Sequence, residues 1–265
     1  LMGGPSGSEI DNKRANANIV MGRFLYALKQ EADYEIISYE GGQKDNAITR
    51  EAICEILVAR EDVEAVKASA AKAEDGLREE YAGTDGNITV QITEEGHAET
   101  DVLHPTSREK VLFYLVQIPF GIQKMSGNIE GLVETSTNIG IVKLSDDEFF
   151  ARSSVRSSVE VARDALSDKI QYLTEFLGGE YEIQGAYPAW EYRKDSPLRD
   201  KMVSVYEEMY GQKPEVVAIH AGLECGLFYK KIEGLDCVSL GPNMKDIHTS
   251  EEGLDIASTE RVGNY

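Results

Sequence analysis

Long apolar runs, metal-motif cysteine pairs and excess positive charge are all missing from this sequence. No stretch reaches the roughly 18 apolar residues that a membrane-spanning helix needs, so no membrane span is expected. Lysine and arginine number 27 against 47 acidic residues, and the net charge of -20 argues against nucleic acid or anionic lipid as a partner, because both would be repelled. The first residues, LMGGPSGSEI, lack the basic-then-apolar order of a signal peptide.

Cysteine is scarce, which indicates a reducing compartment rather than a disulfide-stabilised fold. Cys54, Cys225 and Cys237 are an odd count without metal-motif spacing. Reduced thiols in a cytoplasmic protein are therefore expected. At 265 residues and 42% hydrophobic content, the chain can bury a core, as one large domain or two smaller ones.

Apolar periodicity predicts a mixed helix and strand domain in the first 185 residues. Helices are predicted over 11–30 and 61–82, the second with Gly83 as its C-terminal glycine. A third helix is predicted to begin at a Thr106–Glu109 capping box. A fourth is predicted to begin at a Ser157–Glu160 capping box and to end at Gly178 and Gly179. Strands are predicted over 34–40, 50–59, 87–93, 131–143, 147–156 and 181–184. The order suggests two αββαβ units with an antiparallel sheet.

The sequence pattern changes after residue 187. Ser196 as N-cap, Pro197 in the first turn and Gly211 after the end predict one helix. The apolar runs 214–219 and 235–240 are typical of strands buried in a parallel sheet. These few elements cannot cover both faces of a sheet. Either the chain is a fragment, or these elements pack against something outside it.

Two loops after apolar runs carry ionisable groups. The stretch AIHAGLECGLF, 218–228, sets His220, Glu224 and Cys225 around two glycines, as strand ends that build sites often do. In GPNMKDIHTSEE, 241–252, His248 lies near several carboxylates, which suits a zinc ligand with an orienting acid. On spacing alone, a solvent-facing loop histidine is the better explanation of His248, and no His-x-x-x-His, Cys-x-x-Cys or His-x-Asp cluster occurs elsewhere.

Two polar features interrupt the predicted strands. In GLVETSTNIGIV, residues 134–138 place five consecutive polar side chains inside an apolar run. This pattern fits an edge strand or a bulge, or a polar patch that binds a substrate. Arg156 lies where a strand meets a helix, and its guanidinium either clamps a carboxylate bidentately or pairs with one of many surface acids. Taken in isolation, both features are better explained by structure than by substrate binding.

Taken together, the motifs resemble the aminoacyl-histidine dipeptidases (Xaa-His dipeptidase, peptidase D), a family of di-zinc metallopeptidases related to carnosinases. The matching segments, in chain order, are GGPSGSEIDNKRANAN, GGQKDNAITREA, MSGNIEGLVETSTNIGIV, SSVRSS, YPAW, DSPL, AIHAGLECG and GPNMKDIHTSEE. They span essentially the whole chain in order.

The resemblance implies an α/β protein with an α+β lid. Residues 1–185 correspond to a lid or dimerisation domain, and 186–265 to the C-terminal part of an α/β catalytic domain whose N-terminal half is absent. The implied activity is zinc-dependent hydrolysis of small dipeptides in the cytoplasm, by a homodimer formed through the lid, with two zinc ions in the complete enzyme.

The resemblance also assigns residues. His248 matches a metal ligand, and the substrate-binding positions are Arg156, Asn138, Gly222 and Glu224. The other metal ligands and the general-base glutamate have no counterpart in this chain, so it is expected to be inactive alone and not to hold zinc tightly.

One departure from the family concerns the first residues. Relatives read Gly-Gly-His-Ser-Gly where this chain has Pro5, which offers no side-chain donor to a developing oxyanion. Either these first residues are altered, or the catalytic contribution of the lid is lost. An alternative reading is therefore a non-catalytic lid and dimerisation module.

Overall fold

Alternating apolar residues build a five-stranded antiparallel sheet in the first part of the chain. The structure is a computed structural model that describes residues 1–7, 9–145, 147–217, 224–245 and 252–265. It divides into two compact units, Leu1–Gln184 and Gly185–Tyr265. The prediction of mixed helix and antiparallel sheet is confirmed.

The elements of the first unit follow one another closely. In chain order they are β1 Gly4–Pro5, α1 Ala17–Leu28, β2 Tyr34–Gly41, β3 Ala47–Ile48, β4 Ala52–Val58, α2 Val63–Glu80, α3 Pro105–Gln117, β5 Gly121–Met125, β6 Val133–Leu144, β7 Phe149–Ser157 and α4 Glu160–Phe176. Strands β1 and β3 form a separate two-stranded pair.

Strand β6 is the centre of the main sheet. Strand β7 runs antiparallel along nearly its whole length, from the Thr135–Ser157 pair to the Leu144–Phe149 pair. Strand β5 pairs with the first part of β6 and strand β2 with its last residues, and β4 pairs with β2 on the outside. Residues 138, 139 and 141 of β6 are therefore paired with β7 but lie between the stretches paired with β5 and β2.

The core lies between one face of this sheet and the helices. Its buried members include Phe24, Leu25 and Leu28 of α1, Leu112 and Leu115 of α3, Ile170 of α4, Ile36 and Tyr39 of β2, and Ile139 and Val142 of β6. Because the strands alternate, the other face of β6 carries different side chains, and that face holds the candidate site.

The stretch 87–93 does not form the strand that its alternation predicts. Ile88 is buried beside Leu77 of α2, but the backbone bonds go to helix side chains. Arg78 Nε donates to the carbonyl of Ile88 (2.8 Å), and the Val90 amide donates to Glu74 Oε2 (2.7 Å). These side chains form the hydrogen bonds to the backbone that a neighbouring strand would otherwise form. The alternation of apolar residues in 87–93 therefore reflects packing of an extended segment onto a helix. Residues 181–184 also form no strand.

Helix starts differ from the predicted capping boxes. His104 rather than Thr106 caps α3, since its Nδ1 accepts from the Thr106 amide (3.2 Å). Ser157 is the last residue of β7, and its Oγ accepts from the Val159 amide just before α4 begins. Helix α2 ends at Glu80, three residues before Gly83, so that glycine does not end it.

The described residues of the second unit form three helices and one short antiparallel strand pair. They are α5 Pro197–Tyr210, α6 Glu224–Lys231, β8 Met244–Lys245 paired with β9 Gly253–Leu254, and α7 Ile256–Asn264. The α5 prediction is confirmed: Ser196 Oγ accepts from the Arg199 amide (3.1 Å), and Gly211 has a left-handed φ of 70°.

The two apolar runs of this unit are not strands where the structure describes them. In 214–217, Val216 and Val217 are 54% and 64% exposed, and in 235–240 Leu240 is 49% exposed. Buried parallel strands need strand neighbours and covering helices, and in the described part of this unit the one sheet is the two-stranded β8–β9 pair, in which neither run takes part. Residues 218 and 219 lie outside the described residues. No helix among the described residues is long and apolar enough to cross a bilayer.

Candidate functional site

The five polar residues 134–138 are buried in a central strand. All five side chains are less than 10% exposed. Strands β5 and β7 flank them on both sides, so the edge-strand interpretation is wrong. A bulge does occur just beyond them, where the β6–β7 register shifts between Ile139 and Ile141. Glu134, Ser136 and Asn138 share the face that points away from the helices, because side chains alternate along a strand.

Asn138 fills the gap between the two partial neighbours of β6. Its Nδ2 donates to the carbonyls of Ala47 (2.8 Å) and Asp45 (3.2 Å), and its Oδ1 accepts from Asn16 Nδ2 (3.0 Å). Asn16 is also the N-cap of α1, accepting from the Asn18 amide (2.9 Å). One buried amide therefore ties the sheet to the start of a helix and to the loop before β3.

Between the stretches of β6 that pair with β5 and β2, side chains rather than a neighbouring strand form hydrogen bonds to the β6 backbone. The carbonyl of Ile139 accepts from Asn16 Nδ2 (2.9 Å) and Thr49 Oγ1 (3.2 Å). Gly140 lies so close to the loop that a Cβ there would come within 2.5 Å of the Lys44 carbonyl. The loop 42–46 can approach the sheet only because position 140 has no side chain.

Arg156 lies on the same face, one strand away. It is the cross-strand partner of Ser136, two positions from the Asn138–Ser154 pair, so these side chains are near neighbours. Its Nε is buried without a hydrogen-bond partner, and no carboxylate of the described residues forms an ion pair with Arg156. Burial lowers the pKa of the Arg156 guanidinium, and the negative charge of Asp45 offsets part of that effect.

Other half-buried arginines are neutralised within the chain. Arg14 pairs with Glu9 (2.6 Å), Arg108 with Glu35 (3.1 Å) and Arg163 with Asp164 (2.7 Å). A desolvated guanidinium without such a pair is costly, and it is available to an anion. Arg156 is therefore chemically suited to bind a carboxylate bidentately.

Pro5 lies beside the same loop. It is paired with Ala47 in the β1–β3 ladder, and the Ala47 carbonyl is the one that accepts from Asn138. Arg14 holds this N-terminal segment by donating to the Gly3 carbonyl (2.5 Å) as well as to Glu9. Pro5, Asn138 and Arg156, which are far apart in the sequence, are thus brought into one region of the first unit.

Two charged neighbours of this region, Lys124 and Asp45, were not singled out from the sequence. Glu134 is 8% exposed at its side chain and forms an ion pair with Lys124 Nζ of β5 (2.7 Å). Strand β5 was not predicted, so nothing in the sequence pattern placed Lys124 there. Asp45 could have been noted, because it lies within the GGQKDNAITREA segment.

The remaining predicted site residues belong to the second unit. Gly222, His220 and His248 lie outside the described residues, and Glu224 is the exposed first residue of α6. Among the residues that the structure describes, no group of three or more His, Cys, Asp or Glu side chains is arranged to hold a metal ion. The described residues thus do not by themselves provide a zinc site.

Known proteins match this chain along its whole length. Residues 2–85 match the family described as peptidase dimerisation domain. The chain is 32% identical over 265 residues to the cytosol non-specific dipeptidase of Escherichia coli (strain K12), covering 100% of this chain and 54% of that protein. Its structure matches the aminoacylhistidine dipeptidase crystal structure from Vibrio alginolyticus with a TM-score of 0.88 and 32% identity, over 98% of this chain and 53% of that one.

The chain therefore spans about half the length of the relatives that it matches. It is a relative of these dipeptidases, and the resemblance that its motifs indicate is confirmed. Its first 85 residues, apart from Leu1, align with a peptidase dimerisation domain.

Proposed function

We propose that this chain is part of a metal-dependent dipeptidase, and that its first unit binds the C-terminal carboxylate of the substrate. The observation that supports this most is Arg156, a half-buried guanidinium whose Nε is buried without a hydrogen-bond partner and which forms no ion pair among the described residues. It lies on the face of the sheet that also carries Asn138. Both dipeptidase relatives support the reaction class through their names. The substrate class is small dipeptides, with Xaa-His as the nominal one.

The two units take different roles in this proposal. Residues 1–185 form the lid or dimerisation domain, and 186–265 contribute the C-terminal part of the catalytic domain. Arg156 contacts the substrate carboxylate, while Asn138, whose amide is engaged within the chain, shapes the region around it. By the resemblance, Gly222 and Glu224 would contribute to substrate binding and His248 would be a metal ligand.

Zinc is the cofactor that we propose for the complete enzyme, where two ions would activate a bridging hydroxide. The described residues do not assemble a ligand set, so their own contribution is binding and orientation of the substrate. The remaining ligands would come from a segment that corresponds to the half of the relatives which this chain does not cover. We call the polypeptide that joins both halves the parent protein. The name of the Escherichia coli relative and the free cysteines support a cytoplasmic location.

Hydrolysis of dipeptides by the parent protein tests this function. Release of free amino acids from Xaa-His dipeptides should stop on chelation and return when zinc is added. Retention of full activity in excess chelator, or no hydrolysis with zinc bound to all ligands, would contradict the proposal.

Metal content of the isolated chain gives a second expected result. Because catalytic zinc takes about three protein ligands, the purified residues 1–265 should carry far less than one equivalent of zinc. Elemental analysis after gel filtration measures this. Near-stoichiometric zinc that His248→Ala removes would show that the chain builds its own site.

The alternative function is a non-catalytic dimerisation module. Pro5 favours it, because proline stands beside the Asn138 region where relatives place a side-chain donor. The match of residues 2–85 to a dimerisation domain is compatible with both functions. Restoring histidine with Pro5→His separates them: a large gain of activity in the parent protein indicates a catalytic lid, and no change favours the module.

A homodimer through the first unit is part of both functions, and the surface that we propose for it is the exposed side of α4. Val161, Tyr172 and Phe176 are 78%, 72% and 73% exposed, and their spacing of eleven and four residues puts them on one side of the helix. Helix α4 packs on β7, which pairs only with β6 among the described strands. A second copy of this chain fits such a surface because a two-fold axis brings identical patches together.

The double change Tyr172→Glu and Phe176→Glu is expected to weaken the dimer at least about 100-fold, since it places like charges at the apolar contact. Sedimentation over a range of concentrations measures the effect. Tyr26→Glu is the matched control, because Tyr26 is also exposed but lies on α1. A wild-type chain that stays monomeric at high concentration, or equal weakening by the control, would contradict this interface.

A further inference from the structure

A cavity of about 360 Å³ opens on the first unit. Its volume falls in the range of about 300–1,000 Å³ that small-molecule sites occupy. Four apolar or aromatic side chains and two cationic ones line it: Ile10, Tyr81, Phe120, Ile122, Lys13 and Arg14. Neither Arg156 nor Asn138 belongs to this lining, so a ligand in the cavity is independent of the proposed dipeptidase reaction.

The apolar wall of the cavity is held in place by buried neighbours. Ile10 is 4% exposed and belongs to a buried cluster with Ile48. Phe120, just before β5, and Ile122 within it pack against the same cluster. Between them, a Cβ placed on Gly121 would meet no atom within 4 Å. The wall is therefore preformed, and the space beside it is open.

The charged groups at the cavity are both cationic. Lys13 is exposed and forms no ion pair among the described residues. Arg14 donates to Glu9 (2.6 Å) and to the Gly3 carbonyl (2.5 Å) through Nη1, so its Nη2 has no acceptor among the described residues. None of the described lining residues is acidic, although the chain carries 47 acidic residues against 27 basic ones. The cavity is thus a local cationic site on an acidic chain, and an anion fits it by charge.

Lys13 has an unusual backbone conformation. Its φ of 53° and ψ of 36° are left-handed, and no other non-glycine residue among those described has a positive φ. This conformation costs free energy because the Cβ crowds the backbone, and such strain is concentrated at ligand-binding positions. The Lys13 amide donates to the Ile10 carbonyl (3.3 Å), which closes the turn and places the lysine beside the apolar wall.

We propose that this cavity binds a small aromatic carboxylate that carries no ammonium group. The carboxylate pairs with Lys13 and Arg14 through charge-assisted hydrogen bonds. The ring packs against Phe120 and Tyr81, because aromatic pairs gain from stacked or edge-to-face contact. A free amino acid binds poorly, because its ammonium would meet two cations and no carboxylate of the described lining.

Binding of 3-phenylpropanoate to the intact chain, measured by calorimetry, tests the chemistry of the site. We expect a dissociation constant of about 1 mM or lower for a ligand of this size. The amide 3-phenylpropanamide has the same shape without the charge, and phenylalanine adds an ammonium. Both should bind at least about tenfold more weakly. Equal affinity for the acid and the amide would overturn the proposal, because the cavity would then not recognise an anion.

Nuclear magnetic resonance of the isoleucine methyl groups tests the location. Saturating 3-phenylpropanoate should shift the signals of Ile10 and Ile122. The signal of Ile53, which is 62% exposed on β4, should stay unchanged. Unshifted Ile10 and Ile122 signals would place the ligand elsewhere and contradict the proposal.

Two substitutions of Lys13 separate its charge from its backbone conformation. Lys13→Asn removes the ammonium but tolerates a left-handed φ, so it should keep the melting temperature and weaken binding at least about tenfold. Lys13→Arg should retain the affinity within about threefold, since it keeps the charge.

An exposed lysine on α2 is the matched control. Lys72 lies outside the cavity, so Lys72→Gln removes one positive charge and should leave the affinity for 3-phenylpropanoate unchanged. Full affinity in Lys13→Asn, or the same loss in Lys72→Gln, would overturn the proposal.

Discussion

Replacing Asn138 with leucine should lower the free energy of unfolding of the first unit by about 2–4 kcal/mol. Leucine has the same branching at Cγ, although it is larger, but it cannot bond the Ala47 and Asp45 carbonyls or accept from Asn16, which the native amide does at 2.8, 3.2 and 3.0 Å. Each buried polar group left without a partner costs about 1–3 kcal/mol. Urea unfolding followed by circular dichroism measures the loss.

An exposed amide in the same loop is the control for this change. Asn46→Leu should alter the unfolding free energy by less than about 0.5 kcal/mol, as surface substitutions usually do. If Asn138→Leu proved as mild as Asn46→Leu, the amide would not be what holds the loop on the sheet.

Replacing Arg156 with alanine should lower kcat/KM of the parent protein for dipeptides by roughly 30- to 4,000-fold. This range corresponds to about 2–5 kcal/mol, the cost of removing one partner of a desolvated charge pair. Arg156→Lys should also raise KM strongly, since lysine lacks the bidentate fork. Steady-state kinetics with a set of dipeptides measures both variants.

Stability distinguishes a binding role of Arg156 from a structural one. Its Nε has no hydrogen-bond partner and its pKa is lowered by burial, so the folded chain gains little from the charge. Arg156→Met keeps the aliphatic stem and should leave the melting temperature unchanged or slightly higher. Activity lost in proportion to a lower melting temperature would return Arg156 to a structural role.

The same strand offers a control for general effects of removing an arginine. Arg152 lies on the same face but is exposed, stacks over Phe150 and donates to Gln184 (3.3 Å). Arg152→Ala should change kcat/KM by less than about threefold, since it removes only a solvated surface charge. An equal loss in both variants would point to the charge of the sheet edge instead of a specific clamp.

Much of the fold could be predicted because local signals and packing agree there. Helix α5 begins at a Ser196 N-cap and ends at Gly211 as predicted, and strands β2, β4, β6 and β7 lie where alternation or β-rich runs placed them. In these elements the intrinsic secondary-structure propensity of the residues, their apolar pattern and their burial in the fold all favour the same structure.

The failures have physical causes that a single sequence does not carry. The alternation of 87–93 is equally suited to a strand and to an extended segment on a helix, and the side chains of Glu74 and Arg78 decided between them. The runs 214–217 and 235–240 have the composition of buried strands, but a strand needs neighbours, and neither run pairs with a strand among the described residues.

The candidate site was only partly accessible from sequence. The polar residues 134–138 were noted, yet their depth in the sheet follows from the pairing of β6 with β5 and β7, and β5 was not predicted. The opposition of Ser136 and Arg156 depends on a strand register that a bulge at Gly140 adjusts. Register follows the hydrophobic pattern and the turn geometry, and a bulge that breaks the alternation is not visible in that pattern, so this neighbourhood could be found only in the structure.

The most direct test compares a free-acid dipeptide with its C-terminal amide on wild-type and Arg156→Ala parent protein. If Arg156 binds the substrate carboxylate, amidation should lower kcat/KM of the wild type by about the same factor as the mutation does, roughly 30- to 4,000-fold. The mutation should then have little further effect on the amide, because the interaction is already lost. Equal losses for acid and amide substrates on mutation would contradict the account.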